Sequence, residues 1–277
     1  TCVTGSTPDF NEGSMTHFPD LAGKRVLVTG ACGVIGRWVA EAFGAVGAQL
    51  CLTDLRQGDL EAMAQQLQLG ERGFVHAADL TDEASIHALV SEVGTRWGAV
   101  DVLVNNAGVY PSGFLLDTST AEFDRIFSVN LRAPFILTKA LAIQMIDKGV
   151  AGSVINISSG ASRKMRRTVV PYCTSKTALD RLTKGFGIEL AEYGIRVNAL
   201  EPGFMQGSAV SPLTQSHVQR TIAAIPLGRA TSAADVGNGL LYLASDASSY
   251  VTGATLTIDG GNSIGSMEVH QDKKNAL

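Results

Sequence analysis

The fold of this chain is decided by residues 25–36, Arg25-Val26-Leu27-Val28-Thr29-Gly30-Ala31-Cys32-Gly33-Val34-Ile35-Gly36. The first five residues form a short, mostly apolar run rich in valine, which predicts a buried strand. Glycines then break the run, and the amphipathic pattern after them predicts a helix over about 35–46. A strand, a glycine turn and a helix in this order are typical of the βαβ units of parallel sheets.

The glycine turn also predicts a nucleotide site. Glycines let the backbone turn tightly and approach a pyrophosphate, whose charge is stabilised at a helix N-terminus. The residues expected to do so are Gly30, Gly33, Val34, Ile35 and Gly36. A lone glycine pattern is weak, but its position between a strand and a helix favours phosphate binding.

The alternation of strand and helix patterns continues along the chain. Further apolar runs predict strands at 49–53, 74–77, 100–104, 154–157, 196–200 and 255–258. Helical patterns separate them at 60–67, 81–96, 120–146, 172–192 and 233–243. Pro134 is expected to bend the longest helix or to mark a junction in it. The pattern predicts an α/β fold, a single-domain Rossmann fold with a seven-stranded parallel sheet and helices on both faces.

This single domain is expected to occupy residues 15–265. Residues 1–14 are polar and unpatterned, and we expect them to be a leader outside the fold. Residues 266–277 are charged and are expected to form a tail that is frayed or bound at an oligomer surface.

Composition excludes several classes of partner. The net charge of −4 argues against nucleic acids and acidic membranes, which favour a basic face. No uninterrupted apolar run approaches the roughly 20 residues that span a bilayer. The four cysteines lack C-x-x-C spacing and the five histidines are scattered, so we expect no metal site, reduced thiols and a cytoplasmic location.

Polar residues follow the predicted strands, where ligands of such sheets bind. Asp54 ends the second strand, and its carboxylate could bind an adenosine ribose and repel a 2′-phosphate, which favours NAD over NADP. Arg56 could soften this preference by pairing with a phosphate, and Asp54 could instead be an ordinary turn residue.

Candidate cofactor-binding residues also follow the third and fourth predicted strands. Asp79 and Leu80 could border the adenine, or Asp79 could cap the helix that begins near Thr81. Asn106, Ala107 and Gly108 follow the fourth strand and could border the cofactor, although N-N-A-G alone is only a turn signal.

Tyr172 and Lys176 form a Y-x-x-x-K pair on one face of a predicted helix. An ammonium group near a phenol favours the phenolate and can lower its pKa from the usual value near 10. Such a tyrosine can act as a general acid or base at an alcohol or carbonyl. Alone, the pair is far more often an ordinary contact on a helix surface, so its meaning depends on the residues around it.

Together these features resemble the short-chain dehydrogenase/reductase family, in its common single-domain branch, over residues 21–262. The motifs that carry the resemblance lie in the family's order, and they are the glycine turn, Asn105-Asn106-Ala107-Gly108, Asn130, Ser159, Tyr172-x-x-x-Lys176, Pro202-Gly203 and Asp259-Gly260-Gly261.

The resemblance implies a catalytic set. Tyr172 would transfer the proton, and Lys176 would lower its pKa and hold the nicotinamide ribose. The family's serine lies thirteen residues before the tyrosine, which selects Ser159 over Ser158 as the group that binds the substrate oxygen. Asn130 would support a water relay to the lysine.

Two positions depart from the family pattern. Val34 stands where the common branch has its middle glycine, and Gly33 comes one residue earlier, so we expect a slightly altered phosphate loop. The threonine usually found four residues after Gly203 is replaced by Gly207, with Ser208 as a possible substitute.

The family's substrate pockets draw on three segments, and here they contain the candidates Tyr110, Ser159, Arg163, Met165 and Phe204. The segment 163–167 carries four cations in five residues, which could bind an anionic substrate group. The alternative is a solvated loop or a subunit contact. The segment after Pro202-Gly203 is expected to be a mobile lid.

We therefore expect an NAD-dependent oxidoreductase acting on a secondary alcohol or ketone, such as a sugar, polyol or hydroxy acid. The alternatives are an NADPH-dependent 3-oxoacyl-thioester reductase and a non-catalytic NAD-sensing protein. By resemblance, we also expect a homotetramer.

Overall fold

The computed structural model describes residues 18–206, 213–265 and 267. Seven strands form one sheet in which all six pairings are parallel, in the order β3-β2-β1-β4-β5-β6-β7. The strands are β1 Arg25–Thr29, β2 Gln49–Asp54, β3 Gly73–Ala77, β4 Val102–Asn105, β5 Ser153–Ile157, β6 Arg196–Pro202 and β7 Thr255–Ile258. The predicted fold class is confirmed.

Helices connect the strands. They are α1 Val34–Ala45, α2 Gln57–Gln66, α3 Glu83–Trp97, α4 Thr120–Phe127, α5 Ala133–Asp147, α6 Val170–Glu189, α7 Gln215–Ala223 and α8 Ala233–Ala244. The sequence analysis did not predict α7, which lies in the segment expected to form a lid. The predicted leader and most of the predicted tail lie outside the described residues, so the domain limits stay predictions.

The long helical stretch before β5 is divided as the proline predicted. Alpha4 ends at Phe127, a π-helical turn occupies Ser128–Arg132, and α5 begins beside Pro134. A proline is tolerated in the first turn of a helix because its missing N–H would have no partner there.

By length and composition alone, this stretch corrects the expectation that no apolar run of the chain is long enough to span a bilayer. Residues 120–147 are long and apolar enough to cross a membrane, and half of their most apolar window is buried inside the protein. A helix that packs in a protein core has the same composition. The stretch packs against α3 and α6, which accounts for its apolar character.

Two apolar clusters cover the two faces of the sheet. Successive side chains of a strand point to opposite faces, so Val26 and Val28 join one cluster while Leu27 joins the other. The first cluster includes side chains of α1, α2 and α8, and the second includes side chains of α3 and α5. This burial on both faces explains why the strands lack an alternating polar pattern.

The strand order places the candidate residues together. The chain runs outward from β1 to β3 and then crosses back to β4, so the order reverses between β1 and β4. A crevice opens beyond the carboxyl ends of strands at such a point. Gly30 follows β1, Asp54 ends β2, Asn106 follows β4, Ser159 follows β5 and Pro202 ends β6.

Candidate active site

The turn after β1 requires two of its glycines. Gly30 has a φ of +63°, and a Cβ there would lie 2.7 Å from the Cα of Ala107. A Cβ on Gly36 would lie 2.1 Å from the carbonyl oxygen of Gly30. Gly33 is the N-cap of α1 in an extended conformation, and Val34, the first helical residue, is partly exposed. Position 34 therefore needs no glycine freedom.

The start of α1 suits a phosphate. The N-cap Gly33 offers no side chain to the first backbone amides of the helix. Such amides, together with the positive end of the helix dipole, bind anions. The glycines keep side chains away from this helix end, so the arrangement fits a dinucleotide pyrophosphate.

Asp54 lies beside this turn. Its carboxylate accepts a hydrogen bond from the amide of Cys32 at 3.0 Å and one from the amide of Leu55 at 2.7 Å. The guanidinium of Arg56 pairs with Asp59 at 2.5 Å on the surface. Asp54 is thus the charged group next to the phosphate turn, while Arg56 already has an acidic partner.

Asp79 is not the cap of α3. Asp82 caps that helix by accepting from the amide of Ala84 at 3.1 Å, whereas Asp79 accepts from the amide and hydroxyl of Thr81. These bonds lower the pKa of Asp79. The capping alternative is therefore wrong, because α3 starts at Glu83, two residues after Thr81. The neighbouring Leu80 packs against the core.

A buried threonine joins the ends of β1 and β4, which the sequence analysis missed. The hydroxyl of Thr29 accepts from the amides of Asn106 and Ala107, both at 3.0 Å. In return, the side-chain amide of Asn106 donates to the carbonyls of Thr29 and Gly30. Asn106 therefore holds the N-N-A-G turn against the glycine turn.

Adjacent serines after β5 have different partners. Ser158 is buried, and its hydroxyl donates to Asp180 of α6 at 2.5 Å. Ser159 caps a 3₁₀ turn, Gly160–Ser162, by accepting from the amide of Ala161 at 3.2 Å, and it lies close enough to Tyr172 to lower the pKa of that residue. The structure thus brings Ser159, and not Ser158, to the tyrosine.

The surroundings of Tyr172 do not favour its phenolate. Burial raises the pKa of Tyr172 to about 12, while the hydrogen bond with Ser159 and the charge of Arg166 oppose this. The ring of Tyr110 packs edge-on against it, with centroids 4.5 Å apart. The Lys176 ammonium lies 5.9 Å from the ring centre. The expected lowering of this pKa by Lys176 is not found, because the groups that lower it are Ser159 and Arg166.

Lys176 and Asn130 are more deeply buried than Tyr172. The Nζ of Lys176 donates to the carbonyl of Ile157 at 2.7 Å, and burial lowers the lysine pKa to about 8 while Asp180 opposes the shift. Asn130, fully buried in the π-helical turn, bonds both backbone groups of Val109.

Gly108 lies next to the side chains of both Asn130 and Lys176. A Cβ on Gly108 would lie 3.4 Å from Oδ1 of Asn130 and 3.6 Å from Nζ of Lys176. Asn130 also donates to the hydroxyl of Ser175, the residue before Lys176. The end of β4, the π-helical turn and α6 thus meet at Lys176.

The candidate substrate residues have different surroundings. Tyr110 packs directly on Tyr172, and Met165 is exposed. Phe204 is partly buried, and its carbonyl accepts from the amide of Thr231 at 2.8 Å. The guanidinium of Arg163 pairs with the buried carboxylate of Glu201.

A Cβ on Gly203 would lie 2.5 Å from the hydroxyl of Thr231, so this backbone is tightly packed behind Pro202. Gly207 and Ser208 lie outside the described residues. Within the described part of the chain, no group of three His, Cys, Asp or Glu side chains is placed to hold a metal ion.

Comparison with known proteins agrees with this site. A family model described as enoyl-(acyl carrier protein) reductase matches residues 30–263. Sorbitol dehydrogenase of Cereibacter sphaeroides is 34% identical and human L-xylulose reductase is 38% identical, each over 87% of this chain and 98% and 97% of their own lengths.

A solved structure is similarly close. It is a gluconate 5-dehydrogenase from Burkholderia cenocepacia J2315 in complex with NADP and tartrate, with a TM-score of 0.84 and 30% identity, covering 90% of this chain and 98% of that one. With the family model spanning most of the chain and its motifs meeting at one crevice, the chain belongs to the short-chain dehydrogenase/reductase family of oxidoreductases.

Proposed function

We propose that this protein is an NAD-dependent dehydrogenase that interconverts a secondary alcohol and a ketone of a small polyhydroxy compound or hydroxy acid. The observation that carries the proposal is the grouping of Ser159, Tyr172 and buried Lys176 at the carboxyl end of the sheet, with the lysine ammonium 5.9 Å from the tyrosine ring centre. A partly buried tyrosine with a serine and an ammonium nearby is suited to proton transfer at an alcohol oxygen.

The nicotinamide, when bound, supplies the hydride acceptor or donor. In the oxidation direction, Tyr172 would act as the phenolate, whose Oη takes the hydroxyl proton of the substrate and becomes a neutral phenol, while the hydroxyl of Ser159 holds the same substrate oxygen. The cationic Lys176 holds the cofactor ribose, and Asn130 fixes the turn that faces it. In reduction, Tyr172 returns the proton. The oxidation direction requires this phenolate, and Ser159 and the charge of Arg166 act toward it, against the effect of burial.

The NAD preference rests on Asp54. Its carboxylate lies beside the glycine turn and would repel a 2′-phosphate. The related gluconate 5-dehydrogenase structure contains NADP, so the cofactor has to be measured for this chain. We expect kcat/KM for NAD to exceed that for NADP at least about tenfold, which is about 1.4 kcal/mol. Equal values would reject the preference.

The substrate class is proposed from the relatives. Their names specify sorbitol, L-xylulose and gluconate, all small polyhydroxy compounds. The test is a panel of polyols, sugars, sugar acids and simple secondary alcohols, followed at 340 nm with NAD. Turnover confined to polyhydroxy substrates supports the proposal. Turnover only of simple alcohols would reject the substrate class and leave the reaction intact.

A second candidate is an NADPH-dependent reductase of 3-oxoacyl thioesters. Relatives named 3-oxoacyl-[acyl-carrier-protein] reductase, 35% and 33% identical, favour it, and the position of Asp54 counts against it. Reduction of a 3-oxoacyl thioester with NADPH, without turnover of any polyol, would select this candidate. A protein that binds NAD and turns over neither class would be the non-catalytic sensor.

Two further proposals concern the assembly of the protein and its cellular location. A groove of about 640 Å³ lies between α4, α5 and α6, with Phe127, Leu131 and Phe135 among its lining residues. We propose that further copies of this chain cover it in a homotetramer, the assembly that the family resemblance implies. The cytoplasmic location stays a prediction.

A further inference from the structure

A buried carboxylate lies behind the turn that carries Ser159. Glu201, the last residue of β6 before Pro202, is 1% exposed. It accepts hydrogen bonds from the hydroxyl of Ser162 at 2.7 Å and from the hydroxyl of Thr257 in β7 at 2.9 Å. The guanidinium of Arg163 pairs with its second oxygen. None of these residues takes part in the proposed proton transfer.

Arg163 extends the same network to the end of the sheet. Its Nη2 also donates to the hydroxyl of Thr257 at 3.1 Å and to the hydroxyl of Ser263 at 3.0 Å. The arginine thus joins the segment after Ser159 to β7 and to the turn that follows β7. All three contacts are made by Nη2, which carries two N–H donors, so these acceptors share its hydrogens.

The 3₁₀ turn Gly160–Ser162 is therefore held from two sides. On one side, Ser162 and Arg163 bind Glu201 of β6. On the other, the carbonyl of Ser162 accepts from the hydroxyl of Thr177 in α6 at 2.7 Å. Ser159 caps this turn through Ala161, so its hydroxyl can shift relative to Tyr172 only if these anchors give way.

Energetics make the carboxylate an effective anchor. A buried charge is costly unless it is paired and hydrogen-bonded, so Glu201 holds its partners in one arrangement. A shift of about 1 Å in a reacting group can reduce a rate by about 100-fold. The position of Ser159 is thus coupled to the occupancy of the carboxylate by Arg163.

We propose that Glu201 and Arg163 are positioning residues that hold the Ser159 turn in place for catalysis. This role rests on the proposed proton transfer between the substrate and Tyr172. It also assigns Arg163 to an internal carboxylate, which counts against the predicted contact between Arg163 and an anionic substrate. Of the cations in 163–167, Arg166 is the one whose charge acts on Tyr172.

The test compares Glu201→Gln with a matched control. Asp101→Asn makes the same carboxylate-to-amide change in the pair Arg25–Asp101, which lies at the opposite, amino-terminal ends of β1 and β4. We expect Glu201→Gln to lower kcat about 10- to 100-fold, with cofactor affinity unchanged within about twofold. Asp101→Asn should leave kcat unchanged, even if it lowers the melting temperature as much as Glu201→Gln does.

Three further variants keep the test decisive if Glu201→Gln folds poorly. Arg163→Lys retains the charge and should keep more of kcat than Arg163→Met. Ser162→Ala removes one anchor without leaving an unpaired buried charge, and should give a smaller loss of kcat in the same direction.

A readout independent of activity separates this proposal from the proposed function. Hydrogen–deuterium exchange in a peptide covering 158–168 should be faster in Glu201→Gln and Arg163→Met than in the wild type or Asp101→Asn. If the wild type has no dehydrogenase activity, the proposed function fails and faster exchange still supports the anchor. Unchanged exchange with unchanged kcat overturns the proposal. A rise in KM restricted to acidic substrates in Arg163→Met also overturns it, in favour of substrate binding.

Discussion

Tyr172 depends at the residue scale on groups that come from three separate parts of the chain. Ser159 follows β5, Tyr110 follows β4, and Lys176 lies one turn further along α6. The hydrogen bond from Ser159 lowers the tyrosine pKa, whereas burial raises it. The balance between burial and hydrogen bonding therefore sets how readily Tyr172 gives up its proton.

Replacing Tyr172 with phenylalanine should abolish most of the activity. The change removes the proton-transfer group and keeps the ring that packs on Tyr110. General acid–base catalysis contributes about 10² to 10⁴-fold, so we expect kcat to fall by at least about 100-fold. Steady-state kinetics at 340 nm would measure kcat, and titration with NAD would measure cofactor binding by the variant.

The control for this prediction is Tyr193→Phe. Tyr193 lies in an exposed 3₁₀ turn, Ala191–Tyr193, after α6. Its loss of a hydroxyl should leave kcat unchanged. Retention of wild-type kcat by Tyr172→Phe would show that another group transfers the proton.

Lys176 should make stability depend on pH. Burial lowers its pKa in the folded state to about 8, below the value of about 10.4 in an unfolded chain. Between these two pH values the unfolded state binds more protons, so stability rises with pH. The cost of burying the charged lysine is fully present below pH 8 and is relieved towards pH 10.

Lys176→Met removes this pH-dependent contribution. The free energy of unfolding of the wild type minus that of Lys176→Met should increase from pH 7 to pH 10, as urea titrations at several pH values would measure. Other titrating groups are common to both proteins and cancel in the difference. Parallel curves would contradict a buried, charged lysine.

At the scale of elements, the strand–turn–helix unit β1–α1 determines whether a dinucleotide can approach. The turn closes only because positions 30 and 36 have no Cβ. Most of these elements were predictable, since their apolar periodicity is local. Alpha7 was not predicted, because its sequence Gln215–Ala223 is polar and none of its residues is buried.

Gly36→Ala should weaken cofactor binding. The added Cβ would lie 2.1 Å from the carbonyl of Gly30 and 2.8 Å from Cα of Ala31, so the turn must shift. We expect at least a tenfold higher Kd for NAD by calorimetry, together with a lower melting temperature.

Gly44→Ala in the same helix is the matched control. Its Cβ would meet only Cδ1 of Leu50 at 3.9 Å, an ordinary contact. Replacing a helical glycine with alanine should stabilise the protein by up to about 1 kcal/mol and leave Kd unchanged. Equal effects of the two substitutions would mean that Gly36 is needed only for the helix.

At the scale of the whole molecule, the apolar face of α4, α5 and α6 is the surface most suited to self-association. Phe135 is 43% exposed and lines the groove between these helices. Exposed apolar patches of this kind mark interaction sites in soluble proteins. The same apolar character gives residues 120–147 the composition of a membrane span.

Phe135→Glu should disrupt the assembly. We expect the wild type to have about four times the 29.0 kDa mass of one chain by analytical ultracentrifugation, and the variant a smaller mass. The physical reason is that a charge cannot be buried there without a partner. Leu116→Glu, at a 98% exposed leucine outside the groove, should keep the wild-type mass. A monomeric wild type would contradict the proposed homotetramer.

Part of the candidate site could also be predicted from the sequence. Tyr172 and Lys176 were identifiable because i and i+4 positions share a helix face, and Ser159 followed from its spacing to the tyrosine. Two further signals were present and not used. They are Asp180, four residues after Lys176, and Glu201, a carboxylate within a buried strand.

The sequence by itself determined the order of the elements, the parallel sheet and the side of the sheet on which the site lies. These depend on periodicity and on turns between neighbouring residues, which are local properties. Only the tertiary structure decided that Ser158 binds Asp180, that Arg163 binds Glu201 and that burial raises the pKa of Tyr172. These depend on which distant residues share a buried space, and solvation and pairing in that space are set by the packed fold.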